Sequence, residues 1–233
     1  MRVEAAAPPS RAQSIADRVY ALLRREIAAG TFRPGARIQE KPLAAELGIS
    51  RTPIREALLR LETEGVVVCN SRRSYNVRIL TVHDVREIYQ TLGVLEGAAA
   101  ASVAGQLSAT DLKDLRQFNQ RMATAAANAD LPSFGEWNRR FHDVFLLKLE
   151  NHTFRETCNL VRAPLYTFPV QRQTLSAWLQ KSVVEHRAII RLASARDADG
   201  LSAYFRDVHW SYDSNRQYIT DAFDQQGEAA VHL

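Results

Sequence analysis

Apolar residues recur at helical spacing along the first third of the chain, and they predict three short helices. The stripe of the first helix consists of Ile15, Val19, Leu22, Leu23 and Ile27. A second helix is expected between Pro42 and Gly48, and Ser50 is a favourable N-cap for a third. The stripe of the third helix, at i, i+3, i+4 and i+7, consists of Ile54, Ala57, Leu58 and Leu61.

A short hairpin is predicted directly after the third helix. The β-prone run 66–68 follows Gly65, residues 71–74 form a polar turn, and Tyr75, Val77 and Ile79 alternate as in a strand. Three helices followed by a hairpin indicate a winged helix-turn-helix over residues 14–80. Its wing is the hairpin, with the basic residues Arg72 and Arg73 at the tip.

The polar face of the third helix has the chemistry of a DNA-reading surface. At 100° per residue, Arg51, Thr52 and Arg55 fall on a sector beside the buried stripe, near the N-terminus of the helix. An arginine there can donate two hydrogen bonds to guanine, while Ser50 and Thr52 suit phosphate oxygens or a thymine methyl group. The alternative is an ordinary solvated amphipathic helix, but the basic wing that follows argues for DNA binding.

Beyond Thr81 the pattern is helical, with no strand-like alternation. Two helix starts are marked by a capping residue with an aspartate three positions later, at Thr81 with Asp84 and at Ser108 with Asp111. Further apolar stripes predict an all-α bundle of about six helices over residues 81–223. The fold class is therefore mainly α, with residues 1–13 expected to be a disordered tail and residues 224–233 a frayed one.

The composition supports two domains and places the basic charge on the first. An apolar content of 46% in 233 residues can fill two cores. Residues 1–80 carry a net charge of +6 and residues 81–233 a net charge of −2. Cys69 and Cys158 make no secreted-type disulfide framework, and no apolar run is long enough to span a membrane. We expect a cytoplasmic protein without a membrane partner.

Three histidines of the second domain fall on or beside apolar stripes. They are His142, His186 and His209, and Asn138 lies four residues before His142 on the same helix face. Three imidazoles from different helices could converge on a metal ion inside a bundle, with the asparagine as an oxygen ligand. The alternative is that each is a structural core histidine and no metal is bound. His83, His152 and His232 are expected at the surface.

The first domain resembles the GntR family of bacterial transcription regulators, in the segments PGARIQEKPLAAELGISRTPIREALLRLETEGVV and SRRSYNV. The resemblance implies DNA contacts at Lys41, Ser50, Arg51, Thr52, Arg55, Ser71, Arg72 and Arg73. Many members have a glycine where this chain has Ser74, so the turn at the wing tip is expected to differ.

The second domain resembles the FCD ligand-binding domain of the FadR-type branch of that family. The landmarks are Leu95–Gly97, Asn138–His142, Asn151 and Glu185–Ile189. One branch of this domain binds a divalent metal through an Asp or Asn and three histidines, which implies the ligands Asn138, His142, His186 and His209. Zinc is the expected ion, with nickel or manganese as alternatives.

The resemblance also implies how such a protein acts. It would be a homodimeric repressor, as most relatives are repressors, bound to a double-stranded DNA operator and released when a small organic acid binds at or near the metal. Many relatives hold the carboxylate with an arginine where this chain has Leu92. The candidate substitutes for that arginine are Arg162, Arg172, Gln171 and Tyr166, although each is expected to be exposed.

The competing hypothesis is a metal-dependent hydrolase domain fused to a DNA-binding module. No acidic residue is evidently placed as a general base, because Glu185 points off the stripe of His186. We therefore expect no enzymatic activity.

Overall fold

A computed structural model describes residues 14–70, 74–166 and 172–230, and these residues are predominantly helical. The prediction of a mainly α fold is confirmed. The first unit contains α1 (Ile15–Ala28), β1 (Arg37–Ile38), α2 (Glu40–Leu47), α3 (Arg51–Thr63), β2 (Val67–Cys69) and β3 (Tyr75–Val77). The second contains α4 (Val82–Val103), α5 (Ala109–Ala127), α6 (Leu131–Leu146), α7 (His152–Tyr166), α8 (Arg172–Ala195), α9 (Ala198–Tyr204) and α10 (Tyr212–Ala230).

The winged helix-turn-helix is built around α1 and α3. Ser14 caps α1 in a capping box with Asp17, and the stripes of α1 and α3 pack together in one core. Gly48 ends α2 with a φ of 64°, a left-handed conformation that favours glycine, and so turns the chain into α3. Ser50 occupies the N-cap position of α3, but its side chain makes no capping hydrogen bond.

The wing contains a third strand that the sequence pattern does not predict. The antiparallel sheet has the order β1-β3-β2, with Ile38 opposite Tyr75 and Val67 opposite Val77. Because β1 is two residues long, it shows no alternation that could be recognised in the sequence. The wing-tip residues 71–73 lie outside the described residues, and so do residues 1–13.

The helical unit has seven α-helices among its described residues, rather than about six. The expected helix over 199–223 is interrupted: α9 ends at Tyr204, a π-helical turn spans Phe205–His209, and α10 begins at Tyr212. The capping boxes at Thr81 and Ser108 form as expected. The backbone of α10 remains helical to Ala230, beyond the expected end of the domain at residue 223.

The two units have separate hydrophobic cores that meet through α1, α6 and α7. Ala163 of α7 is buried within the core of the winged helix-turn-helix, and α1 contacts α6. Among the described helices, none is long and apolar enough to cross a membrane.

Candidate functional sites

Five of the residues predicted to contact DNA lie on the outer face of α2 and α3 or at the N-cap of α3. The side chains of Arg51 and Arg55 are 56% and 45% exposed, respectively. Lys41, Ser50 and Thr52 are also exposed. The placement is compatible with the predicted contacts. Ser71, Arg72 and Arg73 lie outside the described residues, whereas the neighbouring Ser74 is buried.

The exposed residues Arg51, Thr52 and Arg55 of α3 form the reading face. Its two arginines are both held by one buried acid, Glu40, at the start of α2. Its Oε2 accepts hydrogen bonds from Nη2 of Arg51 and Nη2 of Arg55, each at 2.8 Å, and its Oε1 accepts one from Nε of Arg55 at 2.8 Å. The hydrogen bonds from Arg55 lower the pKa of Glu40, and those from Arg51 add to this effect. Burial acts in the opposite direction, but the net result is a pKa of about 2. Glu40 has no recognisable signal in the sequence pattern, since its partners lie 11 and 15 residues away.

The three histidines of the helical unit converge. His142 lies on α6, His186 on α8 and His209 at the end of the π-helical turn, and one ring nitrogen from each lies within 4.8 Å of the others. All three are buried. The predicted convergence of three separate stripes therefore occurs, and the cluster could hold a metal ion.

The spacing of the ring nitrogens fits a metal ion. Nε2 of His142 and Nε2 of His209 are 3.3 Å apart. Two nitrogens that bind one zinc ion at about 2.0–2.1 Å with tetrahedral geometry lie roughly 3.3 Å from each other. Neither ring nitrogen of His186 has a hydrogen-bond partner among the described residues, although both are buried. An imidazole buried without such a partner is costly, and a metal ion would remove that cost.

Two glutamates support His142 and His209 from behind, a role that the sequence pattern does not reveal. Oε2 of Glu96 lies 2.6 Å from Nδ1 of His142, and Oε2 of Glu185 lies 3.0 Å from Nδ1 of His209. A carboxylate on the second ring nitrogen orients a metal-binding histidine and increases its basicity. Glu185, expected to point away from the stripe of His186, reaches His209 instead.

The charge state of the cluster also suits a metal ligand set. Burial lowers the pKa of His142, despite the opposing effect of Glu96, and lowers that of His186 well below its usual value. Burial would raise the pKa of Glu96, but His142, Arg162 and the Trp210 indole outweigh it and lower the pKa to about 2. The two histidines are therefore neutral near pH 7, the form that binds metal ions.

Asn138, the fourth predicted ligand, lies one helical turn before His142 on α6. Its side-chain oxygen is buried, and the residue lines the same cavity as His209. Its role as a ligand stays a prediction. Of the other histidines, His83 and His152 are exposed as expected, and His232 lies outside the described residues.

Arg162 is buried, contrary to the expectation of surface exposure. Its guanidinium pairs with Asp143 and with Glu96, so it belongs to the support of His142. Leu92, which replaces the usual carboxylate-binding arginine, is fully buried in the core. The side chains of Tyr166, Gln171 and Arg172 lie outside the described residues.

Two glycines on α4 let α9 and the π-helical turn pack close to Glu96. A Cβ atom on Gly97 would lie 2.9 Å from the carbonyl oxygen of Ser202, and one on Gly93 would lie 3.1 Å from Cα of Arg206. The close approach lets the Trp210 indole donate a hydrogen bond to Oε2 of Glu96 at 2.9 Å. His209, the residue before Trp210, is placed against His142 by the same packing.

A cavity of about 720 Å³ opens beside the cluster. His209, Glu185 and Asn138 line one part of it, and the remaining walls are largely apolar. Its volume is in the range of small-molecule binding sites, so it can admit a metabolite next to the histidines.

Comparison with known proteins identifies both units. A family described as bacterial regulatory proteins, gntR family, matches residues 15–77, and the FCD domain matches residues 87–208. The chain belongs to the GntR family. As a member of that family with an FCD domain, it is a DNA-binding transcription regulator.

Individual relatives agree with this assignment. An uncharacterised HTH-type transcriptional regulator from the TAR-I ttuE-ttuC′ intergenic region of Agrobacterium vitis is 33% identical over 130 residues, which cover 54% of this chain and 76% of that protein. The HTH-type transcriptional repressor RspR of Escherichia coli is 26% identical over 230 residues, or 97% of this chain and 100% of that one. These relatives are regulators, not enzymes, and the hydrolase alternative gains no support.

The solved structures show the same fold. The structure of McbR/YncC from E. coli has a TM-score of 0.72 and 23% sequence identity, and the match covers 91% of this chain and 99% of that one.

Proposed function

We propose that this GntR family member is a homodimeric repressor that leaves its operator when a small organic acid binds at a metal in the FCD domain. The metal ligands would be Asn138, His142, His186 and His209. The observation that carries the proposal is the set of three buried imidazoles, two of them supported by carboxylates, beside a metabolite-sized cavity.

The residues of the site determine what can bind there. Nitrogen ligands suit zinc, with nickel or manganese as alternatives, and a bound divalent ion would supply positive charge for a carboxylate. Glu96 and Glu185 hold His142 and His209 in position, and the largely apolar walls of the cavity suit an acid with a hydrocarbon body. A neutral asparagine in place of the commoner aspartate leaves more net positive charge for an anion.

On the DNA side, Lys41, Ser50, Arg51, Thr52 and Arg55 would contact one operator half-site, with the wing residues Ser71, Arg72 and Arg73 on the adjacent groove. Two copies would bind a roughly palindromic operator, because a two-fold dimer requires matching half-sites. The acid would favour a domain arrangement whose reading helices no longer fit the half-site spacing. Repression has support from RspR, which is named a repressor and aligns over its whole length.

The metal is tested by elemental analysis of protein purified without a histidine tag. We expect about one metal ion per chain in the wild type, bound or readily taken up from added Zn²⁺ or Ni²⁺, and a large loss in His142→Ala and His186→Ala. His152→Ala, a change to an exposed histidine, is the matched control. A wild-type content below about 0.2 per chain that does not rise on metal addition would refute the metal site.

The regulatory step is tested with an operator selected from random duplexes. Organic acids are screened by thermal shift with and without metal, and each hit is added to the protein–operator complex. We expect an acid that binds only metal-loaded protein and releases the DNA. The mechanism would be contradicted if the acids bind equally well after the metal is removed by a chelator, or if they leave the protein–operator complex intact. Light scattering of the free protein and of the complex establishes whether two chains assemble.

A further inference from the structure

The cavity beside the histidines is shared between the two domains. Its lining includes His209 and Asn138 of the FCD domain together with Tyr20 and Arg24 of α1 in the DNA-binding domain. A ligand that fills the cavity would therefore touch the helix that packs directly against the DNA-reading helix α3.

Arg24 has the character of an anion-binding residue. Its side chain is half-buried, and its Nη1 donates a hydrogen bond to the Tyr20 hydroxyl at 3.0 Å. Within the described part of the chain, no carboxylate pairs with it. By contrast, the adjacent Arg25, which also lines the cavity, has a carboxylate partner, because its Nη2 lies 3.2 Å from Oε1 of Glu26. A partly desolvated guanidinium without a carboxylate partner favours an anionic ligand.

Much of the remaining cavity lining is hydrophobic. It includes the side chains of Leu80, Val85, Tyr89, Leu165, Trp178 and Leu179. A ligand that fits these walls needs an apolar body, since polar groups placed against them would lose their hydrogen bonds to water.

We propose that the effector is an organic diacid with a hydrocarbon body, one carboxylate at the histidine-bound metal and the other at Arg24. This inference rests on the proposed metal site and deepens it, because the DNA-binding domain then contributes a specificity-determining residue to the effector site. Arg24 would bind a carboxylate of the effector, as the arginine of many relatives does at the position of Leu92. The acid bridges the two domains directly.

The same contact offers a route to the DNA-reading helix. The Tyr20 hydroxyl that accepts a hydrogen bond from Arg24 donates one to Glu64, at 2.7 Å, and Glu64 is the C-cap residue of α3. The guanidinium of Arg60, on α3, lies 3.8 Å from the centre of the Tyr20 ring. A carboxylate that draws Arg24 into the cavity weakens its bond to Tyr20 and so alters the contact between α1 and α3.

The test uses straight-chain dicarboxylates of about four to ten carbons, each compared with the monocarboxylate of equal length. Binding to the full chain, loaded with zinc, is measured by calorimetry. We expect at least one diacid to bind about tenfold or more tightly than its monoacid partner. In Arg24→Ala, we expect the preference for the diacid to fall to about twofold or less. Arg18→Ala is the control and should leave the preference unchanged, because Arg18 is exposed on the same helix and does not line the cavity.

Two failures can be told apart. If zinc is retained and acids bind, but Arg24→Ala keeps the diacid preference or none exists, the bridging inference is wrong and the proposed metal-dependent effector site stands. If zinc is not bound at all, the proposed function itself fails, and with it this extension. Binding of zinc without binding of any diacid in the series also refutes the inference. Far-ultraviolet circular dichroism verifies that the variants are folded.

Discussion

His142 and His209 face each other through their Nε2 atoms, 3.3 Å apart, while their Nδ1 atoms face Glu96 and Glu185. Each imidazole thus has one nitrogen directed at a carboxylate and one directed at its neighbour. Without a metal, the two facing nitrogens can share at most one hydrogen bond, and His186 beside them has none among the described residues. Buried ring nitrogens without hydrogen-bond partners destabilise an ordinary protein core, whereas the same arrangement favours binding of a metal ion.

The carboxylate behind His209 is expected to increase metal affinity. Glu185→Gln keeps the size of the side chain but removes its charge, so we expect zinc affinity to fall about 10–100-fold with the fold intact. Competition with a chromophoric chelator measures the affinity. Glu156→Gln is the control, because Glu156 pairs with the exposed His152 at the surface. Equal affinities for wild type and Glu185→Gln would show that Glu185 does not tune the site.

The contact between Gly97 of α4 and Ser202 of α9 is expected to leave no room for a side chain on residue 97. Gly97→Ala would place a Cβ atom against the backbone of Ser202. The overpacking should cost about 1–3 kcal/mol, offset in part by the better helix propensity of alanine, about 1 kcal/mol. We expect lower stability in urea unfolding and weaker metal binding, because His209 shifts away from His142.

Gly105→Ala is the matched control for that substitution, since a Cβ atom there would meet nothing within 4 Å. If Gly97→Ala binds zinc as tightly as the wild type does, the packing of α4 does not position His209.

The pairing of Glu40 with two arginines predicts a pH-dependent contribution to stability. The pKa of Glu40 lies at about 2 in the folded protein against 4.5 ordinarily, so its ionised form stabilises the fold above about pH 4.5. That contribution diminishes as the pH falls from about 4.5 towards about 2. We expect the wild type to exceed Glu40→Gln in urea stability near neutral pH, with the difference shrinking in acid. Glu46→Gln, at an exposed position on the same helix, should show no such difference. A constant difference across the pH range would refute the assignment.

We expect the protein to lose preference for its operator sequence when the arginines of the reading face are removed. Arg51→Ala or Arg55→Ala should cost about 1–3 kcal/mol on the selected operator, with a smaller effect on a scrambled duplex. Fluorescence anisotropy on both duplexes measures this. Arg191→Ala, an exposed change on α8, controls for net charge. Equal losses on both duplexes would mean that these arginines contact only the DNA backbone.

The DNA-binding half of the protein was largely predictable from the sequence because its signals are local. Helical periodicity, the turn at Gly48 and the arginines of α3 are read within a few residues, and α1 and α3 form as expected. What periodicity could not show was the buried Glu40 that orients Arg51 and Arg55, since that contact depends on how α2 packs against α3.

In the helical half, the sequence by itself determined that His142, His186 and His209 lie on apolar faces of separate helices. Only the tertiary structure decided that they meet, that Glu96 and Glu185 stand behind them, and that Arg162 is buried. It also decided that α1 helps to line the cavity. The physical reason is that a residue's position along its own helix sets the direction of its side chain, whereas its partners are set by packing between helices far apart in the chain.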